Sequence, residues 1–178
     1  MTRDDFSRFR TLGIDFSAIG LEQETDPQPY FCTPEGAEWI GSLGCDGVHF
    51  VLLPGEEAVF CVDPEMGEEG TFVLPVGENF RRFLSYLLFC RNANVLAQIH
   101  WMNESQYREL LEEDQKNRWP GCEEIRANEQ AALEAIRTEF HVEAADAFAP
   151  VKALQSSFDS SILRFSDAYY EVLGLERI

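Results

Sequence analysis

Two patterns of apolar positions divide the chain. Between residues 48 and 76 short apolar runs alternate with turn formers, and from Phe80 onward apolar residues recur every three or four positions. The first pattern predicts strands and the second predicts helices. Residues 48–53 (Val-His-Phe-Val-Leu-Leu) are apolar almost throughout, as in a strand covered on both faces. The turn Pro54-Gly55-Glu56-Glu57 leads to a second strand over 58–62, and the two make a hairpin. An acidic loop rich in turn formers follows over 63–70. A third strand is predicted over 71–76, with Pro75 placing it at a sheet edge.

Phe80, Phe83, Leu84, Leu87 and Leu88 form a helical stripe, and Val95, Leu96 and Ile99 a second, shorter one. Asn103 and Gln106 suit a capping box opening a helix that carries Tyr107, Leu110 and Leu111. Trp119-Pro120-Gly121 breaks that helix, and Ile125, Ala132, Leu133, Ile136 and Phe140 then line one face of a longer one ending near His141. Residues 147–154 suit a turn or short helix, and 158–173 fit either strand or helix. Upstream, a short helix or turns precede a polar connection over 22–29. Thr33-Pro34-Glu35 has the composition of a helix start, so a helix carrying Ala37, Trp39 and Ile40 and stopping at Gly41 or Gly44 is expected. The fold class read from this order is α+β: a small antiparallel sheet packed by helices, with a helical C-terminal extension. One domain is expected, its core over about 30–101 and its helix-rich extension over about 102–178. Whether 142–178 packs on the sheet or forms an arm stays open.

Composition narrows the class. With 178 residues, 45% hydrophobic and 14 of them Phe, the chain builds a core without metals or disulfides. No apolar stretch approaches the roughly 20 residues needed to span a bilayer. The start, Met1-Thr-Arg-Asp-Asp-Phe6, lacks the apolar region of a secretory signal. Cys32, Cys45, Cys61, Cys90 and Cys122 are odd in number and widely spaced, which implies free thiols in a reducing cytoplasm.

Charge changes the picture most. The net charge is −18, and from Thr11 to Phe80 there is no Lys or Arg against 14 acids. Such a surface repels phosphate backbones and anionic lipid, so neither nucleic acid nor membrane is an expected partner. It attracts a basic protein, although acidity also serves solubility. The acids of the hairpin region, Asp46, Glu56, Glu57, Asp63, Glu65, Glu68 and Glu69, are the candidate partner-binding residues.

Motifs for chemistry are missing. His49, His100 and His141 stand in no H-x-x-x-H pairing, and no Cys-x-x-Cys occurs, so no metal or cofactor is assigned. Glycines 41, 44 and 47 lack the basic residue and preceding strand of a phosphate-binding loop. The 63–69 loop lacks the spacing of a calcium-binding loop. His49 is expected as a satisfied core or half-buried histidine. Core packing is expected for Trp39, Trp101 and Trp119.

From Gly44 to Leu88 the order of features resembles the SUKH superfamily, which includes glucan-synthesis regulators and toxin-immunity proteins. The segment Val76-Gly-Glu-Asn-Phe-Arg-Arg-Phe-Leu-Ser-Tyr-Leu87 is similar to that family's signature helix. The 48–62 hairpin sits where its strands belong, and residues 33–40 are similar to its earlier proline-led helix. The resemblance implies a binding module without catalysis, in immunity members one that neutralises a toxin.

The function expected from the sequence is therefore a non-catalytic protein-binding module, an immunity or adaptor protein meeting a basic partner through an acidic surface. Two alternatives stand beside it: a regulatory or structural subunit that self-associates, and a small enzyme with a site assembled from His49, Cys61, Cys90 and His100.

Overall fold

The computed structural model describes residues 2–66, 71–116 and 120–177. Four strands, β1 (Glu38–Ser42), β2 (His49–Leu52), β3 (Val59–Val62) and β4 (Val73–Gly77), pair antiparallel in chain order as a meander. Among the described residues seven helices accompany them: α1 (Thr2–Arg10), α2 (Phe80–Cys90), α3 (Ala93–Gln98), α4 (Glu104–Lys116), α5 (Cys122–Phe140), α6 (Phe148–Ser156) and α7 (Asp167–Leu173). The α+β class, with an antiparallel sheet packed by helices, is as the sequence predicts.

β2 and β3 are buried at every position, because both faces of the sheet are covered. On one face Ile40, Phe50, Leu52, Val59, Cys61 and Val76 join a core with α1, α2 and α5. α1 contributes Phe6 and Phe9 beside Asp5, the 3–4 spacing of one helical face. α2 lies under the sheet, its first turn capped by the Asn79 side chain, which accepts from the Arg82 N–H at 3.0 Å. Arg81 then grips the buried Asp5 carboxylate through Nε (2.7 Å) and Nη2 (3.0 Å) and donates to the Phe140 carbonyl, tying α1, α2 and α5 together.

The opposite face carries Val51, Phe60, Val62 and Val73, and the C-terminal segment closes over it. Phe165, just ahead of α7, and Tyr169, within it, stack at 3.9 Å, and Tyr169 meets Phe72 edge-on. Residues 158–173 are thus a 3₁₀ turn (Ser160–Ile162) and α7, and they pack on the sheet rather than forming an arm.

The helix expected from Thr33 is absent. Residues 33–37 turn, and Glu38–Ser42 is strand β1. The cap-like residues are engaged elsewhere: the Thr33 hydroxyl accepts from the Tyr30 N–H, and the Glu35 N–H donates to the Arg164 carbonyl at 2.8 Å. Pairing with β2 then overrides the local helix signal. Gly41 meets a second long-range demand, since a Cβ there would lie 2.9 Å from the Glu22 carbonyl oxygen. Ile125 also departs from expectation, for it is 47% exposed near the start of α5 while Ala132, Leu133, Ile136 and Phe140 are buried.

Candidate functional site

A four-stranded meander sends alternate loops to opposite ends of the sheet, about 13 Å apart for strands of this length. The loop after β1 and the loop after β3 share one end; the turn after β2 stands at the other. The predicted acids therefore divide. Asp46, Asp63 and Glu65 gather at the first end, whereas Glu56 and Glu57 sit at the second. Glu57 is occupied there: its carboxylate accepts from the Thr2 N–H, and hydrogen bonds from Thr2 hold its pKa below the usual range. Glu68 and Glu69 lie outside the described residues.

Two acids join the first end without any signal in the local sequence: Glu22, and Glu24, whose carboxylate accepts from the Ser42 hydroxyl at 2.8 Å. Glu22 pairs with Ser42 through two backbone hydrogen bonds of 2.7 and 2.8 Å, which carries its side chain alongside Gly44. Cys45 stands among Asp46, Glu22 and Glu65, and its thiol pKa is raised by desolvation and then by these charges. Asp63 orders its own loop by accepting from the Glu65 N–H at 2.9 Å. Among the described residues none of Glu22, Asp46, Asp63 or Glu65 makes an ion pair. Several acids elsewhere do: Asp5 with Arg81, Glu38 with Arg3, and Glu129 with Arg91 and Arg126. At the first end, among the described residues, the charge of Glu22, Asp46, Asp63 and Glu65 is met by no base.

Tyr30 links that end to a cleft. Its ring lies over Gly47, where a Cβ would come within 2.5 Å of it, and it is itself 45% exposed. From there a cleft of about 830 Å³ runs beside β1, walled by Pro27, Pro29, Tyr30, Trp39 and, from α7, Ala168. The indole Nε1 of Trp39 is buried and has no hydrogen-bond partner among the described residues.

Beneath Tyr30 and Trp39 lies His49, fully buried. The Gly47 carbonyl, 2.7 Å from Nδ1, fixes the proton there, so Nε2 accepts from the Thr33 hydroxyl at 3.1 Å. Burial lowers its pKa to about 4 against smaller opposing effects from the Gly47 hydrogen bond and Glu24. Both ring nitrogens of this neutral imidazole are satisfied, as the sequence led one to expect, although His49 opens β2 rather than standing mid-strand.

The four dispersed candidates for catalysis do not come together. His49 faces the α7 side of the sheet, while Cys61 faces the α2 side. Burial raises the Cys61 thiol pKa, and it raises that of Cys90, which contacts the Tyr107 hydroxyl, to about 12. His100 Nδ1 bonds the Ala97 carbonyl at a helix end. Inert thiols and a neutral imidazole lack the thiolate–base contact that nucleophilic chemistry needs.

Of the tryptophans, Trp101 departs from the core role: it is 55% exposed in the turn between α3 and α4. Trp119 lies outside the described residues. Among the described residues no three His, Cys, Asp or Glu side chains group to hold a metal ion, and no helix is long and apolar enough to cross a membrane. No protein family, curated protein or solved structure matches the chain.

Proposed function

We propose that the protein is a non-catalytic binding module, of immunity or adaptor type, which receives a basic partner protein on the acidic end of its sheet. The observation that carries this reading is the meeting of Glu22, Asp46, Asp63 and Glu65 from three chain segments without one compensating base among the described residues. Like charges crowded at a loop end weaken the fold that holds them, and an opposite charge from outside relieves that repulsion. The same field repels nucleic acid and anionic lipid. The likeness of residues 76–87 to the SUKH signature supports the same class of function. Five free cysteines, four of them buried, agree with a reducing cytoplasm.

The test is a paired capture from source-cell lysate, with wild-type protein and a variant carrying Glu22→Gln, Asp46→Asn, Asp63→Asn and Glu65→Gln. The Asp63→Asn change keeps the side-chain oxygen that orders the loop. Stepwise salt elution releases a basic protein from the wild type at moderate salt, and the variant fails to retain it. Equal retention of the same proteins by both forms contradicts the reading.

A further inference from the structure

The two edges of the sheet are finished differently. At β4, Pro75 removes a backbone donor, Gln155 Nε2 donates to its carbonyl at 3.3 Å, and α6 packs alongside. At β1 the outer side is bridged among the described residues at Ser42, by Glu22, and from Glu38 to Ile40 it fronts the cleft. The chain that faces it there carries Pro27 and Pro29, which have no N–H to complete a ladder. The far wall includes Ser166 and, from the first turn of α7, Ala168.

Charge gives this groove a direction. Near its Glu35 and Glu38 end the acids are balanced by Arg177 and Arg3. At its Tyr30 end it opens onto Glu22, Asp46 and Glu65, which are not. Its lining carries Pro27, Pro29, Tyr30 and Trp39 together with one further acid, Glu24, and one base, Arg10.

We propose that the cleft is the docking groove for an extended basic segment of the partner protein, which adds to the outer edge of β1. An apolar side chain of the segment rests against Tyr30 and Trp39, its main chain pairs with Glu38 to Ile40, and lysines or arginines reach Glu24 and the acidic loops. This inference rests on the protein-binding reading above and assigns it a location and a conformation. An extended chain suits the groove because it presents main-chain donors and acceptors to an open strand edge, which a helix cannot do. The volume of about 830 Å³ falls in the range that binds small ligands and short peptides.

The probe is a displayed library of random peptides about a dozen residues long, panned on the wild-type protein, with the enriched sequences synthesised for titration. Enriched peptides alternate apolar with Lys or Arg, shift the Trp39 indole resonance and the amide resonances of Glu38 to Ile40, and bind about tenfold more weakly to Tyr30→Ala. N-methylation of alternate peptide residues abolishes binding without touching the protein, so the test survives a variant that folds poorly. Basic peptides that bind but leave Trp39 and β1 unmoved, or that tolerate N-methylation, overturn the groove while the acidic-end reading stands. Enrichment of no basic peptide also overturns the groove, and the lysate capture alone decides the acidic-end reading.

Discussion

Trp39 lies flat on His49, with ring centroids 3.9 Å apart and planes 9° from parallel. The pair joins the two halves of the candidate interface, since Trp39 lines the cleft and His49, held by Gly47, anchors the acidic loop. The imidazole is uncharged here, because burial has lowered its pKa to about 4. In the unfolded chain the same ring titrates near its ordinary value of about 6.5.

A pH dependence follows from that difference. Below about pH 6.5 the unfolded chain binds a proton that the folded chain refuses, so stability falls as pH falls toward 4. Between about pH 7 and pH 5 this one group removes about 2 kcal/mol. Urea unfolding at both pH values measures it. The wild type loses about that much more than His49→Gln, in which the carboxylate contributions are shared and cancel; equal losses exclude a neutral buried His49.

Gly47→Ala tests the junction between loop and cleft. The added Cβ would meet the Tyr30 ring at 2.5 Å, on a residue whose φ is +71°. Both the collision and the left-handed backbone disfavour it, at a combined cost of about 2 kcal/mol. Thermal unfolding reports the loss. Gly55→Ala, equally left-handed but with open space around its Cβ, loses less.

Thiol reactivity reads the acidic end directly. Cys45 is exposed and the other four cysteines are buried, so one thiol of five reacts with a disulfide reagent in the native state and all five after unfolding. Its rate is slow for an exposed cysteine, because desolvation and the neighbouring Asp46, Glu22 and Glu65 hold the thiol protonated. Neutralising Glu22 and Asp46 speeds the reaction, and raising salt does the same in the wild type. A rate indifferent to both would place those charges elsewhere.

Asp5→Leu examines the tie among α1, α2 and α5. Asp5 is 4% exposed, and its loss leaves Arg81 without its carboxylate partner. Arg81 remains partly solvated, so the cost is about 2 kcal/mol rather than that of a fully buried pair. Denaturant melts of Asp5→Leu, Arg81→Leu and the double variant give the coupling, and additive losses would exclude it.

The hairpin, the α2 stripe and the Asn103–Gln106 capping box were legible because each depends on residues within a few positions of one another. The capping box has both reciprocal bonds, 2.9 and 3.0 Å. β1 was not legible, because Thr33-Pro34-Glu35 carries the same local signals as a helix start. Its fate is decided by His49, Arg164 and β2, all distant in sequence. The acidic site was half legible: local charge marks Asp46, Asp63 and Glu65, but only the meander separates them from Glu56 and Glu57. Glu22 enters through a backbone bridge to Ser42 that side-chain patterning does not announce.

The most direct test of the acidic interface is the affinity of the captured partner over a series of salt concentrations, for the wild type and for the fourfold charge-neutral variant. The wild-type dissociation constant rises steeply with salt, chiefly through a slower association rate, and the variant binds weakly with a nearly flat dependence. Equal affinity and equal slope in the two proteins would contradict it, and would move the interface away from Glu22, Asp46, Asp63 and Glu65.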